Sequence, residues 1–116
     1  MYRIAKQFTF SASHALSHLS AAHPCHNVHG HNYVVEVELS GALDERDMVL
    51  DYHELQPLKA YLDQELDHEH LNNVLSFPPT AENLARHLFE WCKERWSQAS
   101  AVRVSETPKT WAEYRE

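Results

Sequence analysis

Between Tyr33 and Leu39 every second residue is apolar: Tyr33, Val35, Val37 and Leu39 share one side, and Glu36 and Glu38 take the other. That period of two predicts a strand over residues 30–40 with one buried and one wet face, the pattern of an antiparallel sheet. The run entering it is Cys25-His26-Asn27-Val28-His29-Gly30-His31-Asn32-Tyr33. In extended chain, residues i and i+2 project from the same face, so His29 and His31 point the same way, their Cα atoms ~6–7 Å apart. Two imidazoles so placed can converge on one metal ion. A third would complete the three-histidine set of catalytic zinc, with its fourth position open. Gly30, one of only two glycines, has no Cβ and lets the backbone approach another segment or a ligand.

The other elements follow from the same periodicities. Residues 2–13 read as a strand with Ile4, Phe8 and Phe10 on one face, Lys6 breaking the alternation. Residues 14–28, with four histidines and Pro24, read as a loop. Gly41 and Asp44–Asp47 mark a turn. Asp51 and Glu54 form a capping-box pattern before Leu55, Leu58, Leu62 and Leu66, with Pro57 placing the helix start near Gln56 or a kink there. A loop covers 67–79. Thr80 caps a second helix whose stripe is Leu84, Leu88, Trp91, Cys92 and Trp96. Residues 101–107 alternate, with Val102, Val104 and Glu106 on one side, and a last short strand spans 111–114. The order ββααββ gives an α+β class: a four-stranded antiparallel sheet with two helices on one face.

At 116 residues, 43% of them hydrophobic, the chain is one domain, 1–116, with enough apolar side chains for a core. A net charge of −7 with neutral histidines argues against nucleic-acid or anionic-membrane binding. No apolar signal region or membrane-spanning run is present, and two cysteines make no disulfide framework, so a reducing cytoplasm is expected.

Each chemical candidate has a plainer reading beside it. His29 and His31 could be two polar groups on the wet side of a strand. The third ligand would come from the other eight of the ten histidines; antiparallel pairing of the first two strands can bring His14 there, whereas His87 reads as a surface residue. Cys25 could be a fourth zinc ligand, a small core residue, or a reactive thiolate. Cys92, beside Trp91, reads as core. Asp67-His68 is either an acid/base dyad or an ordinary pair at a helix end. Glu106, on an otherwise apolar face, either reaches solvent or recognises a ligand offering N–H donors.

Several blocks in order resemble the 6-pyruvoyl-tetrahydropterin synthase / 6-carboxytetrahydropterin synthase family: Phe8-Thr9-Phe10-Ser11-Ala12-Ser13-His14, Cys25-x3-His29-Gly30-His31-Asn32-Tyr33 and Met48-Val49-Leu50-Asp51-Tyr52. Leu66-Asp67-His68-x2-Leu71-Asn72, Pro79-Thr80-Ala81-Glu82-Asn83-Leu84 and Val104-Ser105-Glu106-Thr107 continue it. The resemblance implies zinc on His14, His29 and His31, catalytic Cys25, Asp67 and His68, and a pterin held by Glu106. It also implies the tunnelling fold (T-fold), a homo-oligomer (trimer or hexamer) with active sites between subunits, and a pterin triphosphate substrate. The Cys-x3-His-Gly-His spacing resembles the 6-carboxytetrahydropterin synthases of the queuosine (7-deazapurine) route. Two other readings stand beside it: 6-pyruvoyl-tetrahydropterin production without carbon–carbon cleavage, and a non-catalytic zinc site closed by Cys25.

Overall fold

The computed structural model describes residues 1–116. Its frame is a long hairpin, β1 (Tyr2–His14) and β2 (His29–Gly41), paired antiparallel from Tyr2↔Gly41 to His14↔His29. On the far side of β2 lie β3 (Ala99–Thr107) and β4 (Thr110–Arg115), giving a sheet of order β1-β2-β3-β4. Alternation decides the faces. Tyr33, Val35, Val37 and Leu39 are all fully buried, with Phe8, Phe10, Ala12, Val102 and Val104 beside them on the same side. Each such Val or Leu contributes about 1.5–3 kcal/mol by leaving water. Glu36, Glu38, Arg103, Glu113 and Arg115 occupy the opposite, open face in an ion-pair mesh.

Helices cover the apolar face. Asp51 makes both arms of its capping box with Glu54, opening a 3-10 turn over Tyr52–Leu55. The chain then continues as α1 (Gln56–Tyr61) and a π turn, Leu62–Leu66. Pro57 sits in the first turn of α1, where a missing N–H costs nothing, so it starts the helix and does not kink it. Residues 67–79 are not all loop: α2 (Leu71–Val74) forms one turn, held by Leu71 in the core. The longest helix, α3 (Ala81–Arg95), starts where Thr80 accepts from the Asn83 N–H at 3.1 Å. Leu84, Leu88 and Cys92 are fully buried along its stripe. Tyr61 stacks on Trp91 with ring centroids 4.9 Å apart, joining α1 to α3. His87 departs from its expected surface place: it is half-buried against Phe77 and pairs with the Tyr61 hydroxyl at 2.7 Å.

The 67–70 segment lies along the outer edge of β1. His68 N–H donates to the Ser11 carbonyl, Ser13 N–H to the Glu69 carbonyl, and Ser13 forms a parallel bridge with His70. This covers the edge at Ser11 and Ser13 but leaves Arg3 to Thr9 without a strand on that side.

Candidate metal centre and active site

His14 and His29 are directly paired across β1 and β2, and His31 is two residues further along the same face. All three therefore project from the apolar side of the sheet, at the end beyond Phe10 and Tyr33. Their Nε2 atoms meet there, His14 to His29 at 3.0 Å and His31 to His14 at 3.1 Å. The three ligating atoms lie within 4.8 Å of one another, in a group that contains no sulfur.

The second nitrogen of two rings is engaged. His14 Nδ1–H donates to the Pro79 carbonyl at 2.7 Å, and His29 Nδ1–H to the Asn27 carbonyl at 2.7 Å. Those bonds fix the proton on Nδ1 and turn the Nε2 lone pairs toward one another. Lone pairs facing at this range repel unless a cation sits between them. The donor set thus fits a divalent transition ion. Burial is the main cause holding the pKa of His14 below the ordinary histidine value, which favours its neutral, ligating form.

What holds His14 arrives from far along the chain. Pro79 stands just before the Thr80 cap of α3, so the helix start also fixes the ring. Asn72 on α2 accepts from the Ala15 N–H and donates to the Ala15 carbonyl, both at 2.8 Å, clamping the residue after His14. Neither Pro79 nor Asn72 is identifiable as a support from spacing, although both lie in blocks that carry the family resemblance.

Glu106 follows Val104 on the buried face of β3, and its carboxylate points at the cluster. Its Oε2 is 3.5 Å from His14 Nε2 and 3.7 Å from His31 Nε2. Cys25 lies in the 3-10 turn Pro24–His26, where His23 accepts from its N–H at 3.1 Å and its carbonyl receives the Leu16 N–H. Its thiol is free and half-buried. Cys92, also free, is core as expected; burial pushes its thiol up to about 12.

Asp67 and His68 form a true pair: Asp67 Oδ2 accepts from His68 Nδ1–H at 2.8 Å, while Oδ1 accepts the Ser11 N–H at 2.8 Å. The Ser11 N–H, then His68, holds the Asp67 carboxyl below the usual range, so it stays ionised. His68 adopts a left-handed backbone, φ 62°, which histidine tolerates better than most residues. It lines a cleft of about 580 Å³ with Ser11, Ser13, Asn32, His70 and the cluster member His31. Within one chain, neither Cys25 nor His68 hydrogen-bonds to the three-histidine cluster.

Comparison with known proteins agrees with this arrangement. The profile of the 6-pyruvoyl tetrahydropterin synthase family matches residues 3–116. A 6-carboxy-5,6,7,8-tetrahydropterin synthase of Haemophilus influenzae is 31% identical, covering all of both chains. One from Synechocystis is 34% identical over 98% of this chain and 93% of the relative. The solved 6-pyruvoyl tetrahydropterin synthase of Caenorhabditis elegans superposes with a TM-score of 0.87 at 32% identity, over 99% of this chain and 95% of that one. The α+β architecture is the T-fold, and the chain belongs to the 6-pyruvoyl tetrahydropterin synthase family, whose members are tetrahydropterin synthases.

Proposed function

We propose that the chain is a zinc-dependent 6-carboxy-5,6,7,8-tetrahydropterin synthase, converting 7,8-dihydroneopterin triphosphate into 6-carboxytetrahydropterin, acetaldehyde and triphosphate in queuosine (7-deazapurine) biosynthesis. The observation that carries this is the meeting of three Nε2 atoms from His14, His29 and His31 at the end of the sheet. An all-imidazole set with an open position is the donor class of catalytic zinc. Zinc held there would supply Lewis acidity to the hydroxyls of the substrate side chain.

The remaining roles fall to the protein. Cys25, as thiolate, takes the proton from the carbon beside those hydroxyls. Asp67, ionised and anchored on the Ser11 N–H, orients His68 so that Nε2 is left to exchange a proton. Glu106 receives the N–H donors of the pterin ring. Loss of triphosphate and cleavage of the side chain follow from that proton mobility. A reducing compartment such as the cytoplasm suits a mechanism that needs Cys25 unpaired.

We assign the working site to an assembly of subunits, a trimer or hexamer. Neither Cys25 nor the Asp67–His68 pair hydrogen-bonds to the histidine cluster within one chain. The radius of gyration, 15.2 Å, exceeds the roughly 13 Å of a compact chain this long. The uncovered edge of β1 and the 60%-exposed Trp111 of β4 are surfaces that assembly would cover.

One second reading has a specific observation behind it, the close superposition on a 6-pyruvoyl tetrahydropterin synthase. That reaction ends before carbon–carbon cleavage. Incubation with 7,8-dihydroneopterin triphosphate and trapping of aldehydes separates the two. Acetaldehyde equimolar with triphosphate is the expected result, and triphosphate without acetaldehyde would assign the pyruvoyl product.

A further inference from the structure

Among the carboxylates of the sheet, Glu106 is unusual in its company. Glu36 and Glu38, on the open face, are matched by Arg103 at 3.5 Å and Arg115 at 2.9 Å. Glu106 has no lysine or arginine; the only basic groups near its carboxylate are the rings of His14 and His31. Its side chain is only 25% exposed and stands in line with Val102 and Val104 on the face that the helices cover. A carboxylate so placed lacks a counter-charge, and the histidines supply none while they remain neutral ligands. A dication in the cluster would supply it.

Distances to two of the three rings suit direct contact, although the mutually close donors are the three imidazoles alone. Donor atoms around a four-coordinate zinc at ~2.0–2.1 Å stand about 3.3 Å from one another. The Nε2 separations of 3.0 and 3.1 Å and the Oε2 separations of 3.5 and 3.7 Å bracket that spacing. Glu106 also sits at a break in the strand pairing. The β3–β4 register shifts between Val104 and Thr107, so residues 105 and 106 escape regular pairing with β4. Irregular pairing of this kind re-aims a side chain beside a site.

We infer that Glu106 is itself a metal ligand in the substrate-free protein, its Oε2 occupying the position the three histidines leave open, and that the incoming pterin displaces it. This rests on the metal centre proposed above and gives Glu106 two states. In the first the carboxylate closes the centre. In the second it is released, and becomes the acceptor for the ring N–H groups of the molecule that displaced it. Metal access and pterin recognition are thereby exchanged on one side chain.

The test uses the full-length protein, wild type and Glu106→Gln, loaded with Co2+ in the absence of substrate. Visible absorption reports the ligand set, and competition with a chromophoric chelator reports affinity. Because loss of an outer partner alone weakens metal sites by roughly 10–100-fold, loss of a direct ligand is expected to cost about ten-fold or more, with a changed spectrum. Addition of 7,8-dihydroneopterin to the wild type is expected to change the Co2+ spectrum as the carboxylate leaves, an arm that depends on no variant. Wild-type affinity and spectrum in Glu106→Gln, or a wild-type spectrum indifferent to a bound pterin, overturns the inference. If that variant keeps its metal but loses dihydroneopterin binding, Glu106 is a pterin anchor only and the proposed function survives. If His14→Ala and His29→Ala also bind Co2+ as tightly as wild type, the proposed function falls as well.

Discussion

His14 shows how much one side chain depends on its surroundings. It is fully buried, receives nothing from its neighbours in sequence, and takes its orientation from a carbonyl 65 residues away. Cys25 is the contrary case, a half-buried thiol on a loop with its backbone pinned and its sulfur free. The proposed division of labour makes these two separable. Cys25→Ala is expected to bind one metal per chain with wild-type affinity while turnover falls about 10²–10⁴-fold, the range for a lost acid/base group. Metal analysis alongside product formation checks both halves, and retained turnover would remove Cys25 from the mechanism. His29 and His31 could be read from the sequence because a strand puts alternate residues on one face. The proximity of Glu106 to them could not, since it depends on the β2–β3 register, which no local pattern encodes. Asn72 and Pro79 escaped for a related reason: their partners, Ala15 and His14, lie across a loop and a sheet edge.

Elements were legible where a long apolar period ran undisturbed. The stripe of α3 and the alternation of β2 are such cases, and their boundaries follow from Thr80 and from the loop before His29. Pro57 left two outcomes open, and the structure selects the one in which proline begins the helix. The single turn α2 carried no readable signal, because four residues are too few for a helical period; tertiary packing of Leu71 makes it. These differences have measurable weight. Leu88→Ala, which empties a fully buried position on α3, is expected to cost about 2–5 kcal/mol. Thr80→Ala, which removes only the cap, is expected to cost about 1 kcal/mol. Denaturant unfolding of both variants in chelator ranks them, and a reversed order would mean that α3 is not held chiefly by its apolar stripe.

At the scale of the molecule, acid acts through buried imidazoles and subunits act through shared sites. Burial lowers the pKa of both His14 and His87 from 6.5. The unfolded chain therefore binds more protons than the folded one as pH falls below about 6.5, and stability rises with pH through that range. Chelator-treated protein is expected to be less stable to denaturant at pH 5.5 than at pH 7.5. Metal adds to the same trend, since ligation requires neutral rings. Equal stability at the two pH values would contradict the burial of these rings. If Cys25 and Asp67 serve one site from different chains, mixed oligomers of Cys25→Ala and Asp67→Asn will recover part of the turnover that each lacks alone. No recovery after subunit exchange would place both groups in a single chain's site.

The most direct test is titration of zinc into metal-stripped protein while following consumption of 7,8-dihydroneopterin triphosphate. Turnover absent at the start and rising in proportion to a limit at one equivalent per chain is the predicted result. Undiminished turnover by protein shown to hold no metal would contradict the account at its base.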